Sequence, residues 1–130
     1  DAYYLNHIIT LYLPPEQVLT FRKSAETCGN EHGVDPKDVR KIMTWTLPDD
    51  KPHKQFLYCT LLQCGYIVED GHINIDAALK VVPINGTQDE ALRIYKECDK
   101  IPLEDAVETA FRLATCYHKH FTLIIKKPEA

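Results

Sequence analysis

The chain has little of what usually announces chemistry. Its 130 residues hold one serine, Ser24, set in Arg22-Lys23-Ser24-Ala25-Glu26 without the glycines of a strained nucleophile elbow. No Cys-x-x-Cys and no His-Glu-x-x-His occurs, so the spacings of a zinc module and of a metalloprotease helix are missing. Lysines are scattered, and a formal charge of −4 with a pI near 5.8 leaves no continuous positive stripe for a phosphate backbone. Nucleic acid is therefore not an expected partner. No apolar run approaches the roughly 18 to 20 residues that span a bilayer, and no basic-then-apolar secretion signal follows residue 1. The expectation is a soluble, already processed chain without membrane insertion. Repeats, low-complexity tracts and linkers are lacking too, so residues 1–130 are expected to form one domain around one core.

What is present is helical periodicity. Pro14-Pro15 opens a first helix in which Val18, Phe21, Ala25 and Cys28 recur at steps of three and four, and Gly33 stops it. Asp35-Pro36 caps a shorter second helix carrying Val39, Ile42 and Met43, with Trp45 and Pro48 marking its exit. Asp49-Asp50 and Pro52 start a third, which Gly65 can close. After a turn at Glu69-Asp70-Gly71, Ile75, Ala78, Leu79 and Val82 form a fourth, ended by Pro83. Thr87 with Glu90 fits a capping box ahead of a fifth helix through Leu92, Ile94, Tyr95 and Cys98. Beyond Pro102, Leu103, Val107, Ala110, Ala114, Tyr117 and Phe121 step by four, three, four, three and four, a sixth helix. Strand alternation competes only in the tail, Phe121 to Ile125. The fold class is all-α, six short helices.

Five cysteines lie dispersed at 28, 59, 64, 98 and 116, which favours disulfides in an oxidising compartment. An odd number leaves at least one thiol free or paired with another molecule. Cys59 and Cys64 point about 140° apart on a helix and cannot share one bond or one ligand. Cys64 falls at a helix C-terminus, where the dipole disfavours a thiolate, so an inert thiol is expected there. His118 and His120 are two apart and face different ways on a helix, unlike paired metal ligands. Carboxylates cluster where helices start and chains turn, which caps and dipoles explain. Asn85-Gly86-Thr87 matches a glycosylation acceptor, while a tight turn with an N-cap threonine accounts for the same three residues.

Between Cys28 and Cys59 lie 30 residues, and between Cys59 and Cys98 lie 38. With Asp105-Ala106-Val107-Glu108 ahead of Cys116, this spacing resembles the insect odorant-binding proteins, in which six cysteines hold six helices around an apolar cavity. The resemblance spans residues 14 to 121. Where that family carries its second and fifth cysteines, which pair with each other, this chain has Gln55 and Val107. It is similar to a four-cysteine, "minus-C" member. The resemblance implies bridges Cys28–Cys59 and Cys98–Cys116, with Cys64 left as the free thiol. It also implies a looser contact between the third and sixth helices, with Val107 packing where the bridge would be and Gln55 needing hydrogen-bond partners or water.

From periodicity alone, the surplus apolar residues of the fourth and sixth helices and the tail are ordinary core. The resemblance makes them a cavity wall among helices one, four, five and six with the C-terminal segment across it. The residues expected to touch a ligand are then Ile75, Leu79, Val82, Leu92, Ile94, Phe111, Ala114, Tyr117, Phe121, Leu123 and Ile125, with Met43 and Trp45 added. Tyr117 or Tyr95 would orient a ligand's polar group. The implied protein is a single odorant-binding-protein-like domain with residues 1–13 as an N-terminal extension and 122–130 as a tail. It is a non-enzymatic carrier without cofactor or metal, secreted into sensillar lymph or another secretion. Its partners would be a small hydrophobic ligand (an odorant, pheromone or other semiochemical) and a membrane odorant receptor, and it would be a monomer or weak homodimer. Protonation of His118 and His120 beside the apolar tail would loosen it and release the ligand on acidification. The alternatives are a general scavenger of lipophilic molecules outside olfaction, or a thiol or metal protein using Cys64 and the histidines.

Overall fold

A computed structural model describes residues 8–83, 87–100 and 105–125. In chain order these form strand β1 (Ile9–Leu13), helix α1 (Pro15–His32), a 3-10 turn (Pro36–Asp38) running into α2 (Val39–Thr44), α3 (Lys51–Gln63), α4 (Ile75–Leu79), α5 (Gln88–Cys98), α6 (Ala106–His118) and strand β2 (Phe121–Ile125). Among the described residues there are six α-helices, so the all-α architecture holds, with one short sheet added.

The helix boundaries follow local chemistry. Pro15 opens α1, and Gly33 closes it at φ 70°, a left-handed conformation that glycine adopts without a Cβ clash. Asp35, Asp50, Asn74 and Asp105 each accept a hydrogen bond from a backbone N–H two or three residues on, which satisfies an orphan donor at the helix start. The capping box at Thr87 does not form in this way: Thr87 makes no side-chain cap hydrogen bond, and its hydroxyl is buried without a partner. Trp45 ends α2 at φ 52°, the one non-glycine residue with positive φ among those described. A bulky side chain there is strained unless packing holds it.

The sixth helix stops at His118, earlier than its periodicity suggests, and Phe121 stands in β2. Leu103, Pro102 and the Asn85-Gly86 turn lie outside the described residues. β2 pairs in parallel with β1, in the register Ile9↔Phe121, Leu11↔Leu123 and Leu13↔Ile125. Ile9 and Leu13 are buried while Tyr12 and Ile124 are exposed, the alternation of a strand with one wet face. Residues 9–13 of the expected N-terminal extension are thus a structural strand, and residues 121–125 are its partner.

Two apolar clusters make the core. One gathers Ala25, Cys28, Val34, Leu47, Phe56 and Leu57 around α1 and α3. The other gathers Ala78, Ile94, Tyr95, Leu113 and Phe121, with Ile9 and Ile67, around α4 to α6 and the sheet. Each cluster contains one staple. Cys28–Cys59 joins α1 to α3 with Cα atoms 5.7 Å apart, and Cys98–Cys116 joins α5 to α6 at 5.6 Å. By loop-closure entropy each contributes roughly 3 to 4 kcal/mol. Cys64 is the free cysteine.

Gln55 and Val107 are both half-buried. Beside them, Lys54 Nζ lies 2.7 Å from Glu108 Oε1 and 4.8 Å above the centre of the Phe111 ring. An ion pair and a cation–π contact therefore link α3 to α6 next to Gln55 and Val107, where the resemblance implies a missing bridge. In partly exposed surroundings the two together contribute on the order of 1 kcal/mol.

Candidate ligand cavity

Between the two clusters lies a cavity of about 170 Å³, with almost wholly apolar walls. Every layer of the fold contributes: Leu11 and Leu13 from β1, Phe21 from α1, Ile42 and Met43 from α2 with Trp45 at its end, and Leu61 from α3. Tyr66, Ile67 and Ile73 come from the turn before α4, Ala78 from α4 and Val81 just after it, and Tyr95 from α5. Leu113, Ala114, Tyr117 and His118 from α6, with Phe121 and Leu123 from β2, complete the lining. The turn is pinned by an antiparallel bridge between Ile67 and Ile73, which aims both isoleucines inward. Trp45 is held in its left-handed conformation by rings on two sides, Phe111 at 5.4 Å and His118 at 5.9 Å.

Of the residues expected at the ligand, Met43, Trp45, Ala114, Tyr117, Phe121 and Leu123 line this cavity. Val82 and Ile94 are instead buried within the packed core, and Leu79 is half-buried against it. Ile75 and Leu92 are half-buried away from the lining. Phe111 stands behind Trp45 as its support. Ile125 is 44% exposed, at the end of β2. Leu11 and Leu13 were not among the expected residues, although their alternation with Thr10 and Tyr12 is a period-two signal. Tyr66, Ile67 and Ile73 sit in a turn and carry no helical period that would mark them.

The wall's polar atoms are mostly spent within the chain. Tyr95 donates its hydroxyl proton to the Ala78 carbonyl at 3.2 Å, Tyr117 to the Tyr95 carbonyl at 3.2 Å, and Tyr66 to Gln17 Oε1 at 3.2 Å. Burial raises the pKa of all three phenols, that of Tyr66 to about 12 with the Cys64 thiol adding to it, so they are neutral donors. Tyr95 stacks on Phe121 at 5.0 Å, and Tyr117 meets Tyr95 edge-on at 5.2 Å, fixing the aromatic floor. Burial lowers the pKa of His118 and favours its neutral imidazole.

Two groups elsewhere bear on the thiol and metal alternatives. Cys64 is half-buried, burial raises its pKa, and the hydrogen bond to Ser24 Oγ at 3.5 Å only partly offsets this. Such a thiol is a poor nucleophile. The clusters with metal-like geometry, Cys98–Cys116–His120 and Glu31–His32–Cys59, both draw on sulfurs already bonded in disulfides. A disulfide sulfur has no thiolate to give a metal.

A helical shell stapled by two disulfides around an apolar hollow is the architecture of a small-molecule carrier. Residues 12–120 match the PBP/GOBP family, and the chain belongs to it. In fold it is similar to the odorant-binding protein dmelOBP28a from Drosophila melanogaster, with TM-score 0.66 and 21% identity over 78% of this chain and 89% of that one. It is likewise similar to the fatty acid binding protein OBP56a from the oral disk of the blowfly Phormia regina, with TM-score 0.66 and 18% identity over 82% and 93% of the two chains. A third likeness is to Odorant Binding Protein 7 from Anopheles gambiae, a protein with four disulfide bridges in complex with an azo compound, at TM-score 0.61 and 23% identity over 81% and 85%. A search of curated protein sequences gave no match. Two bridges, with Gln55 and Val107 in place of a cysteine pair, fit a minus-C type.

Proposed function

We propose that this protein is a secreted, non-enzymatic carrier of small hydrophobic semiochemicals, its one domain spanning residues 1–130 and its guest held in the cavity between the two core clusters. The observation that carries this reading is the lining: apolar and aromatic side chains drawn from all six helices and both strands, with the tyrosine protons already engaged inside the chain. Such a surface offers burial at roughly 25 cal/mol per Å² and little for a charged or strongly polar solute. Affinities on the order of micromolar follow for guests of odorant size. No helix among the described residues is long and apolar enough to cross a membrane. Delivery to a membrane odorant receptor is the downstream step that such a carrier serves.

Release on acidification belongs to this reading. His118 stands in the wall against Trp45, and no ion pair neutralises it among the described residues. Its protonation would place an unpaired charge on the apolar lining. His120, with Nδ1 buried and unpartnered, sits at the turn into β2. Displacement of a fluorescent apolar probe by a panel of volatiles tests the carrier itself, and binding of no panel member would refute it. Equal affinity near neutral pH and at about pH 5 would refute the release step while leaving the carrier standing.

A further inference from the structure

We propose that the cavity selects a single-ring guest bearing one hydroxyl, a small phenol or cyclic alcohol, with that hydroxyl at the His118–Trp45 end and its ring among Tyr95, Tyr117 and Phe121. The inference rests on the carrier reading and narrows it to a ligand class.

Volume is the first argument. The cavity measures about 170 Å³. A void of roughly 150 Å³ lined by aliphatic and aromatic side chains accommodates benzene. The space here is a ring's worth plus a short substituent, and an extended long-chain acid or alcohol would leave much of its length outside it. Shape is the second. The stacked and edge-on rings of Tyr95, Tyr117 and Phe121 present faces and edges suited to another ring.

The three phenol protons in the wall are committed, so a guest that can only accept hydrogen bonds finds no tyrosine to donate to it. Among the described residues, the lining nitrogens without a hydrogen bond in the chain belong to His118 and Trp45, whose ring centres lie 5.9 Å apart. A neutral imidazole has one acceptor nitrogen and one N–H, and an indole has an N–H alone. A hydroxyl can donate to the imidazole nitrogen and accept from an N–H at once. A carbonyl or ether can do only the second.

The test compares 4-propylphenol with its isomer 4-ethylanisole, equal in composition and differing in the presence of a donor, and with 1-dodecanol, which has the donor but not the compact shape. Isothermal titration calorimetry on the full chain should give the phenol roughly tenfold tighter binding than the anisole, the worth of about one net hydrogen bond, and tighter binding than the dodecanol. His118→Leu should erase the preference between isomers by weakening the phenol, and His118→Gln, which keeps a polar partner, should retain part of it. Equal binding of the two isomers by the native chain, or dodecanol binding tightest, overturns the inference and leaves the carrier intact. Failure of all three compounds together with the wider volatile panel removes the carrier reading as well. The native-chain comparison decides the matter even if a variant does not fold.

Discussion

Replacing Gln55 and Val107 with cysteine should close a third bridge between α3 and α6. The two positions flank Lys54 and Glu108, whose side chains already meet at 2.7 Å across the same helix pair. From residue 55 to residue 107 the closed loop spans 52 residues, for which loop-closure entropy predicts about 4 kcal/mol of stabilisation at room temperature. For a domain of this size 1 kcal/mol moves the thermal midpoint by roughly 3 to 5 °C, so a rise of about 10 °C or more is expected. The rise should vanish on reduction by more than the native chain's own loss, and Cys64 should remain the single alkylatable thiol. Circular dichroism melts of the oxidised and reduced forms, with intact mass, measure all three quantities. Should the new cysteines stay reduced, or the oxidised variant melt no higher than the native chain, the reading of Gln55 and Val107 as the vacated bridge positions is wrong.

The native chain itself should weigh about 4 Da less than its fully reduced form, since each bridge removes two hydrogens; a deficit of 2 Da or three reactive thiols would contradict the pairing. Phe56→Ala empties a site with no exposed surface in the α1–α3 cluster, at an expected cost of about 3 to 5 kcal/mol in urea unfolding. Gly71→Ala combines φ 90° with a Cβ driven onto the Ala106 carbonyl at the start of α6, and should cost about 2 kcal/mol or more. Stability should also fall on both sides of a pH optimum. His118, its pKa lowered by burial from the ordinary 6.5, adds stability above that value and loses it as pH falls through its folded pKa. At His53 burial opposes the charge, but hydrogen bonds and attraction from Asp50 and Asp38 outweigh it and raise the pKa. Its contribution is complete below 6.5 and is lost as pH rises through the folded pKa. Melts across pH should show His118→Leu flattening the acid limb and His53→Asn the alkaline one, and an unchanged profile in either variant would remove that residue's share.

Helices were legible where side chains carry their own punctuation. Pro15, Gly33, Asp50 and Asp105 mark boundaries by backbone chemistry that needs no partner, and the structure uses them as such. The disulfide pairing was not written in helix geometry; it came from the resemblance in spacing, since angles exclude Cys59–Cys64 but do not choose among the rest. The cavity wall was the least legible part. Ile94 and Phe121 have the same local credentials, yet one is sealed in the core and the other faces the hollow, because the distinction lies in what packs across from them. Leu11 faces inward only because β2 arrives beside it from the far end of the chain, a long-range pairing that no window of sequence contains.

The covalent staples lie on either side of the hollow. Cys28–Cys59 fastens the α1–α3 cluster, and Cys98–Cys116 fastens the α5–α6 cluster, so each disulfide secures one half of the molecule. Among the described residues no covalent bond other than the chain itself crosses between them. Helix α6 is shared, giving Leu113 to one cluster and Phe111 and Ala114 to the other. Leu61 of α3 also packs against both, and the cavity opens along this seam. A bridge from α3 to α6 would add about 4 kcal/mol of global stability by restricting the unfolded chain, whereas the Lys54–Glu108–Phe111 contact supplies on the order of 1 kcal/mol beside the apolar packing of the two helices. Among the described residues, α3 and α6 are joined by side-chain packing, the Lys54–Glu108 ion pair and the Lys54–Phe111 contact, where a third bridge would make the tie covalent.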